Sequence, residues 1–383
     1  MKIIIIGAGI GGLTTAIALK QRGFEVEIFE AAPAFKKAGS GINLALNAMQ
    51  VYKKLGLYDQ ILEAGSYTNA MIITDEKLQP LSVIDMKPFE GKFGVKSVAI
   101  HRATLHQILL DQLADVPLHL NKKVKDVKQS EAGIEVAFGD GTMQQASVLI
   151  AADGIHSAVR KSIFDNTTIR AAKQICWRGI TKIELPPNYQ TELHEPWGKG
   201  KRFGFVAIAE NEYYWYALAN YKEDYRKEFE QVDLAKFYSD FNPLVSQIIK
   251  STPPQNILTN ELLDLKPIQR WYQKNICLLG DSAHATTPNL GQGACQAIES
   301  ALVLADCLAK HKEAEKAFGE FQSIRMKKAI EVVQTSWRVG KIAHLENGLL
   351  IKIRNFVLKN TPAKIANKQS ERIFEIDKVV VPQ

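Results

Sequence analysis

Three glycines near the start of the chain have a spacing that suits contact with a phosphate group. Gly7, Gly9 and Gly12 give the pattern G-x-G-x-x-G directly after the isoleucine run 3–6, which suits a strand buried on both faces of a parallel sheet. The first glycine permits a tight turn, the second lets the backbone approach a pyrophosphate, and the third lets a helix pack against the strand. The helix expected over 13–21 would direct its N-terminal amides at that pyrophosphate.

An acidic residue ends the next predicted strand. The run 25–30 has a strand-like pattern, and its last residue, Glu30, lies 23 positions after Gly7. A carboxylate at this point accepts hydrogen bonds from a ribose. Strand, glycines, helix, strand and acid together predict a dinucleotide-binding site.

Two later segments also place an acid at the turn after an apolar strand. Asp153 follows the run 145–151, and Asp281 follows the run 276–279. The segment 288–294, with glycines at 291 and 293, then opens a predicted helix that extends to 308. These turns are the second and third candidate sites for chemistry.

The elements that must position these turns indicate an α/β protein. Strand-like runs near 67–100 and an aromatic-rich stretch over 166–265, with one helix expected over 233–250, predict a second, sheet-based domain. Helices are expected over about 312–344 and 349–358. Asn47 either caps the helix that follows it or faces a ligand cavity.

Composition limits the class of protein. With 383 residues, 46% hydrophobic and 23% charged, the chain is expected to be a globular protein of two to three domains. Its four cysteines lack zinc or C-x-x-C spacing, so we expect no metal site, reduced thiols and a cytoplasmic location. The uncharged stretch 3–19 is interpreted as the strand–turn–helix unit rather than a signal peptide.

Positive charge is concentrated near the C-terminus. Residues 310–383 hold 15 Lys and Arg against 8 Asp and Glu, which equals the net charge of +7 of the whole chain. A solvated helical face explains this excess, and attraction to an anionic surface or partner is the alternative. No dense basic run or recognition motif indicates nucleic acid.

Taken together, the three motifs resemble those of FAD-dependent aromatic hydroxylases, the single-component flavoprotein monooxygenases of the para-hydroxybenzoate hydroxylase type. Asp153-Gly154 with Ser157 and Arg160 is similar to the DG motif of that family, and Gly280-Asp281 with His284 is similar to its GD motif. The segment 288–295 with Glu299, together with 177–179, is most similar to the branch containing urate hydroxylases, zeaxanthin epoxidases and salicylate hydroxylases.

The resemblance implies a Rossmann-like, GR2-type FAD-binding domain, an interleaved β-sheet substrate domain and C-terminal helices. The expected FAD-binding domain is 1–66 with 97–165 and 270–320, the substrate domain is 67–96 with 166–269, and the helical region is 321–383. The residues implied to contact FAD are Gly7, Gly9, Gly11, Gly12, Glu30, Arg102, Val124, Asp153, Asp281, Pro288, Gly291, Gln292, Gly293 and Ala294. His284 is expected to be structural, beside the cofactor.

The same resemblance implies a reaction. NAD(P)H would reduce FAD, and O2 would form a C4a-hydroperoxyflavin that hydroxylates an aromatic or heteroaromatic small molecule. Arg202 and Tyr214 match positions at which urate hydroxylases contact substrate, and they are the expected catalytic residues. Asn289 departs from the Asp that urate hydroxylases carry there, and an amide cannot act as an anionic anchor or a base.

Other functions remain as alternatives. The chain could be an epoxidase of an unsaturated substrate, a reductase of the geranylgeranyl-reductase type, a flavin-dependent halogenase, or a redox-silent flavin-binding partner protein. We expect a monomer or homodimer with a small-molecule substrate, no nucleic acid, and membrane association left open.

Overall fold

The computed structural model describes residues 2–35, 39–130 and 133–379. The strands in the described residues are β1 (Lys2–Ile6), β2 (Glu25–Phe29), β3 (Gly41–Leu44), β4 (Ser66–Tyr67), β5 (Ala70–Asp75), β6 (Pro80–Asp85), β7 (Val98–His101), β8 (Leu118–His119), β9 (Val124–Ser130), β10 (Gly133–Phe138), β11 (Met143–Ala146), β12 (Val148–Ala151), β13 (Ile169–Lys182), β14 (Glu192–Trp197), β15 (Lys201–Ala209), β16 (Glu212–Asn220), β17 (Leu258–Leu265), β18 (Tyr272–Gln273) and β19 (Ile276–Leu278). The helices are α1 (Ile10–Lys20), α2 (Leu46–Lys54), α3 (Tyr58–Glu63), α4 (Lys87–Phe93), α5 (Arg102–Asp111), α6 (Ala158–Ile163), α7 (Tyr225–Phe229), α8 (Leu234–Phe237), α9 (Pro243–Lys250), α10 (Asp281–His284), α11 (Gly293–Lys310), α12 (Ala314–Ala343), α13 (Gly348–Asn360) and α14 (Ala363–Phe374).

A six-stranded sheet carries the three sequence motifs. Its order is β18-β19-β12-β1-β2-β8, and the strands from β19 to β8 pair in parallel. β1 lies inside this sheet, and its four isoleucines are at most 3% exposed, as expected for a strand covered on both faces. The carboxyl ends of β1, β12 and β19 lie side by side, which is where α/β sheets bind ligands.

A seven-stranded sheet forms the second layer, in the order β17-β13-β16-β15-β14-β5-β6. Because side chains alternate along a strand, this sheet has two different faces. One face packs an aromatic core that includes Phe203, Phe205, Tyr213 and Trp215 against helices α8 and α9. The opposite face carries the residues of the candidate site. The predicted α/β class with an additional sheet is confirmed.

Some helices differ from the sequence prediction. The single helix expected over 233–250 is divided into α8 and α9, because the side chain of Asn242 caps a new helix and Pro243 occupies its first turn. Helix α4 lies in a break between the strand-like runs near 67–100, where no helix was predicted, and α14 was not predicted either. These elements are short or terminal, where local patterns are weakest.

Candidate functional site

The glycine turn between β1 and α1 has no room for side chains at two of its glycines. Gly7 has φ of 101°, and a Cβ there would lie 2.4 Å from the Ala152 carbonyl oxygen. A Cβ on Gly12 would lie 2.0 Å from the Gly7 carbonyl oxygen. Gly9 is exposed, and a Cβ there would meet no protein atom within 4 Å. The backbone at the start of α1 is therefore accessible to a phosphate.

Glu30 lies beside this turn. Its carboxylate accepts hydrogen bonds from the backbone amides of Ala8 at 2.7 Å and Ala32 at 2.8 Å. The carboxylate retains lone pairs for a ribose hydroxyl, because an ionised carboxyl group has about four acceptor sites. The Lys122 amide donates to the Glu30 carbonyl at 2.7 Å, so the buried Val124 lies close along the chain to this acid.

Asp153 lies before α6, whose N-cap residue is Ser157, and only one of its carboxyl oxygens accepts hydrogen bonds from the helix. Its Oδ2 accepts from the amides of Ala158 at 2.8 Å and Val159 at 3.3 Å. The buried Oδ1 has no hydrogen-bond partner in the described residues. Burial raises the pKa of Asp153, against the effect of hydrogen bonds from Ser157 and the backbone. Such an atom is suited to accept from a ligand hydroxyl or amide.

Asp281 follows β19 at a turn that begins with Gly280, whose φ is 65°. The residue is exposed to solvent in part, while protein atoms surround its carboxyl group. Burial raises the pKa of Asp281, and the guanidinium of Arg102 opposes this rise. Arg102, at the start of α5, is itself exposed. A carboxyl group in this position suits hydroxyl donors.

The three turns are joined to one another. Arg160 Nη1 donates to the Ser282 carbonyl at 2.9 Å, and Ser282 Oγ donates to the Ala151 carbonyl at 2.5 Å. A Cβ on Gly11 would lie 3.1 Å from Ala297 Cβ, so α1 contacts α11 closely. The structure thus brings the first, second and third motifs to one edge of the six-stranded sheet.

Buried side chains support the loop before α11. The exposed Pro288 begins a short 3-10 turn that ends at Gly291, where φ is 62°. Gln292 is buried, and its Oε1 accepts from Asn47 Nδ2 at 3.1 Å and Gln296 Nε2 at 3.0 Å. Gly293 and Ala294, both half-buried, begin the 18-residue helix α11.

Asn47 does not cap α2, whose N-cap residue is Ala45. Its side chain is fully buried and also donates to Glu299 Oε2 at 3.1 Å. Glu299 in turn pairs with Arg325 at 2.7 Å and with Lys328 at 2.8 Å. Asn47 therefore supports the loop before α11 through side-chain contacts.

His284 is a structural residue in this arrangement. Its imidazole is buried, and Nε2 lies 3.2 Å from Ser300 Oγ. Burial lowers the pKa of His284 to about 3, and Arg325 acts in the same direction. The ring is neutral at physiological pH.

Arg202 lies on the face of the seven-stranded sheet opposite the aromatic core. It is 1% exposed, and its Nη1 donates to Glu195 Oε1 at 3.0 Å. Glu195 also accepts from Trp197 Nε1 at 2.6 Å and from the Tyr216 hydroxyl. Arg202 Nη2 donates to Asn289 Oδ1 in the loop before α11. This contact joins the seven-stranded sheet to the third motif.

Tyr214 lies on the same face, because it pairs with Val206, four residues along β15 from Arg202. Its ring centre is 6.0 Å from that of Tyr216. Burial raises the pKa of Tyr214 to about 12, and the nearby Arg178 opposes this rise. Tyr214 is therefore a hydrogen-bond donor rather than a base at neutral pH.

Glu195 and Tyr216 are site residues that the sequence prediction missed. The period-two alternation of β16 places Tyr216 with Tyr214, so this signal was present in the sequence. Glu195 carried no such signal, because its neighbours on other strands depend on a register that the sequence does not specify. Among the described residues, no group of three or more His, Cys, Asp or Glu side chains is arranged for a metal ion, and none of the helices is long and apolar enough to cross a membrane.

The fold and the converging turns define an α/β flavoprotein, and comparison with known proteins identifies its family. A family model described as an FAD binding domain matches residues 1–336. Aurachin C monooxygenase/isomerase of Stigmatella aurantiaca is 34% identical over 367 residues, covering 94% of each chain. The 2-heptyl-3-hydroxy-4(1H)-quinolone synthase of Pseudomonas aeruginosa is 29% identical over 393 residues, covering 98% of each chain.

Solved structures give the same result. HpxO of Klebsiella pneumoniae complexed with FAD and uric acid matches with a TM-score of 0.88 at 28% identity, over 97% of this chain and 96% of that one. The chain belongs to the FAD-dependent aromatic hydroxylases and is a monooxygenase of that type. The resemblance identified from the three motifs is confirmed.

Proposed function

We propose that this enzyme uses NAD(P)H and O2 to hydroxylate a neutral heteroaromatic small molecule. The observation that carries the proposal is the contact between Arg202 and Asn289, which places the polar face of the seven-stranded sheet against the loop before α11. A substrate on that face would lie next to a flavin ring on that loop. The division into FAD-binding, substrate and C-terminal parts given above is part of this proposal.

The residues at the edge of the six-stranded sheet fit FAD. The amides at the start of α1, around Gly9 and Gly11, would hold the pyrophosphate, and Glu30 would hold the ribose, with Val124 nearby. The unpartnered Oδ1 of Asp153 and the carboxyl of Asp281 would accept from cofactor hydroxyl groups.

The loop before α11 would hold the flavin ring. Pro288 and Gly291 shape the loop, and Gln292, Gly293 and Ala294 present backbone amides at the positive end of the α11 dipole. Arg102 would provide a cation near the phosphates. When bound and reduced, FAD would activate O2 so that one oxygen atom enters the substrate and the other leaves as water.

The ion pair of Arg202 with Glu195 favours a neutral substrate. Arg202 is paired with Glu195, so its positive charge is already compensated within the protein. Burial raises the pKa of Tyr216 well above its usual value, and the adjacent Glu195 adds to the rise, so the phenol stays neutral. An anionic substrate would therefore find no free charge on Arg202 to pair with. The names of two relatives point to a quinolone and to aurachin C as neutral candidates.

Tyr214 and Arg202 have different roles in this proposal. Tyr214 donates a hydrogen bond to a carbonyl or ring nitrogen of the substrate, since its raised pKa keeps the proton on the phenol. Arg202 holds Asn289, and thereby the loop, in place. Trp197 and Tyr216 cover the ion pair and help exclude water, which favours productive oxygen transfer.

A substrate screen tests the proposal. The FAD-loaded enzyme is mixed with NADH or NADPH and a panel of matched neutral 4-quinolones, urate and salicylate, while flavin reduction is followed by stopped flow. We expect a neutral quinolone to accelerate NAD(P)H oxidation and to gain one oxygen atom by mass spectrometry. Preferential hydroxylation of urate would contradict the proposed substrate class. Reduction of a double bond without O2 would identify a reductase, and hydrogen peroxide without product would show only uncoupled turnover.

A further inference from the structure

The outer face of α13 exposes a strip of large apolar side chains. Leu349 is 68% exposed, Phe356 is 69% exposed, and Ile353 and Val357 are each more than half exposed. The spacing of 349, 353, 356 and 357 places the four on one side of the helix, since residues three and four apart are neighbours. We refer to these four side chains as the docking face.

The inner side of α13 is fixed to the protein. Arg354 is 6% exposed, and its Nη1 donates to the Ala343 carbonyl at 3.0 Å. Its guanidinium lies 5.4 Å from the centre of the Trp197 ring. Helix α13 also packs against β6. The docking face is therefore carried on a helix whose opposite side is anchored to the protein through the buried Arg354.

The charges around the docking face have one sign. Residues 348–370 contain five Lys or Arg and no Asp or Glu. Lys352 and Lys359 are exposed and lie next to Phe356 on the helix surface, four and three residues away from it. The acidic residues nearest to this segment on either side have other partners. Glu346 accepts a hydrogen bond from Asn220, and Glu371 pairs with Lys92.

We propose that the docking face lies on an anionic lipid surface, with its apolar side chains in the headgroup region and Lys352 and Lys359 against lipid phosphates. A helix with an apolar face and bordering lysines is the type that binds in the plane of a membrane interface. A second copy of this chain fits less well, because pairing two such faces would bring lysines together without an acid in 348–370.

The position of α13 connects this surface to the proposed substrate site. Arg354 lies against Trp197, and Trp197 donates to Glu195, the partner of Arg202. A lipophilic substrate dissolved in the membrane would thus be presented close to the site. This connection rests on the proposed function, whereas lipid binding itself does not depend on catalysis.

Vesicle flotation of the full-length, FAD-loaded protein tests the proposal without an activity readout. We expect flotation with vesicles of phosphatidylcholine and phosphatidylglycerol, little with phosphatidylcholine alone, and a decrease with added salt. The double variant Leu349→Gln with Phe356→Gln should bind about ten-fold more weakly to the anionic vesicles. The double variant Lys352→Gln with Lys359→Gln should bind anionic vesicles about ten-fold more weakly, with no change on phosphatidylcholine alone.

Matched controls come from other exposed positions. Met143→Gln, on β11, and Lys250→Gln, at the end of α9, should float like the wild type, and all variants should retain their FAD absorbance. Failure of the wild type to float on anionic vesicles would overturn the proposal, as would unchanged binding of the Leu349→Gln with Phe356→Gln variant. A dimer in sedimentation that this variant dissociates, without lipid binding, would assign the docking face to a second copy instead.

Discussion

Arg202 on β15 donates a hydrogen bond to the side chain of Asn289, which lies 87 residues later in the loop before α11. Asn289 donates in turn to Thr287 Oγ1 at 2.9 Å and to the Ser336 carbonyl at 2.8 Å. An aspartate at this position would lack both donors. The amide therefore joins the sheet, the loop and α12 in a way that an acid could not.

Loss of the carboxylate that compensates Arg202 should destabilise the fold. We expect Glu195→Gln to lower the free energy of unfolding by about 3 kcal/mol, because it leaves a buried guanidinium without an anionic partner. The measurement is urea unfolding followed by fluorescence. Glu192→Gln is the matched control, because it removes a carboxylate on the same strand that pairs with His194. Its free energy of unfolding should fall by less than about 1 kcal/mol.

The same variant also tests the substrate class. Because Arg202 is then uncompensated, Glu195→Gln should bind urate more tightly than the wild type does. Its affinity for a neutral quinolone should not exceed that of the wild type. Equal urate affinity in the two proteins, measured by calorimetry, would mean that the ion pair does not set the charge preference.

A charge at Gly9 should prevent binding of FAD while leaving the fold intact. Gly9→Asp places a carboxylate where the proposed site holds the pyrophosphate, and a Cβ at this position meets no protein atom within 4 Å. We expect purified Gly9→Asp to lack flavin absorbance and Gly9→Ala to retain most of it. If Gly9→Asp remains yellow, the cofactor does not lie at the start of α1.

The sequence predicted the three turns and the buried strands that precede them because each turn carries a local signal. A glycine with positive φ, an acid and a following helix lie within a few residues of one another at Gly154 and Gly280, and Gly7 has a positive φ just before α1. The contacts of Glu195 and Asn47 could not be predicted from the sequence, because they depend on strand register and helix packing between distant segments. The division between α8 and α9 depended on the local competition of Asn242 and Pro243 with an otherwise apolar helical pattern.

Close packing between the glycine turn and α1 should make Gly12 intolerant of any side chain. In Gly12→Ala the new Cβ would lie 2.0 Å from the Gly7 carbonyl oxygen, so α1 must shift. We expect a loss of about 2 kcal/mol or more in the free energy of unfolding, together with weaker FAD binding. Gly91→Ala, within α4, meets no atom within 4 Å and should be neutral or stabilising by up to about 1 kcal/mol. Equal stability of both variants would contradict this packing.

Acid should destabilise the protein partly through His284. Burial lowers the pKa of His284 to about 3, with Arg325 acting in the same direction and Glu299 opposing. The unfolded chain, in which the histidine has its ordinary pKa, gains a proton below pH 6.5, whereas the folded protein does not until about pH 3. Stability should therefore fall as pH decreases through this range, by up to about 1.4 kcal/mol per pH unit from this residue.

The variant His284→Gln isolates this contribution, because glutamine is neutral throughout. We expect it to be less stable than the wild type near pH 7 by about 1 kcal/mol, since the contact with Ser300 Oγ is altered, and to show a shallower loss of stability in acid. Urea unfolding at a series of pH values measures how steeply the free energy of unfolding falls with pH in the wild type and in His284→Gln. His156→Gln, at an exposed position, should keep the wild-type slope. Parallel pH profiles for the wild type and His284→Gln would show that a charged His284 is tolerated in the folded state, and the imidazole beside α11 would then be available for proton transfer.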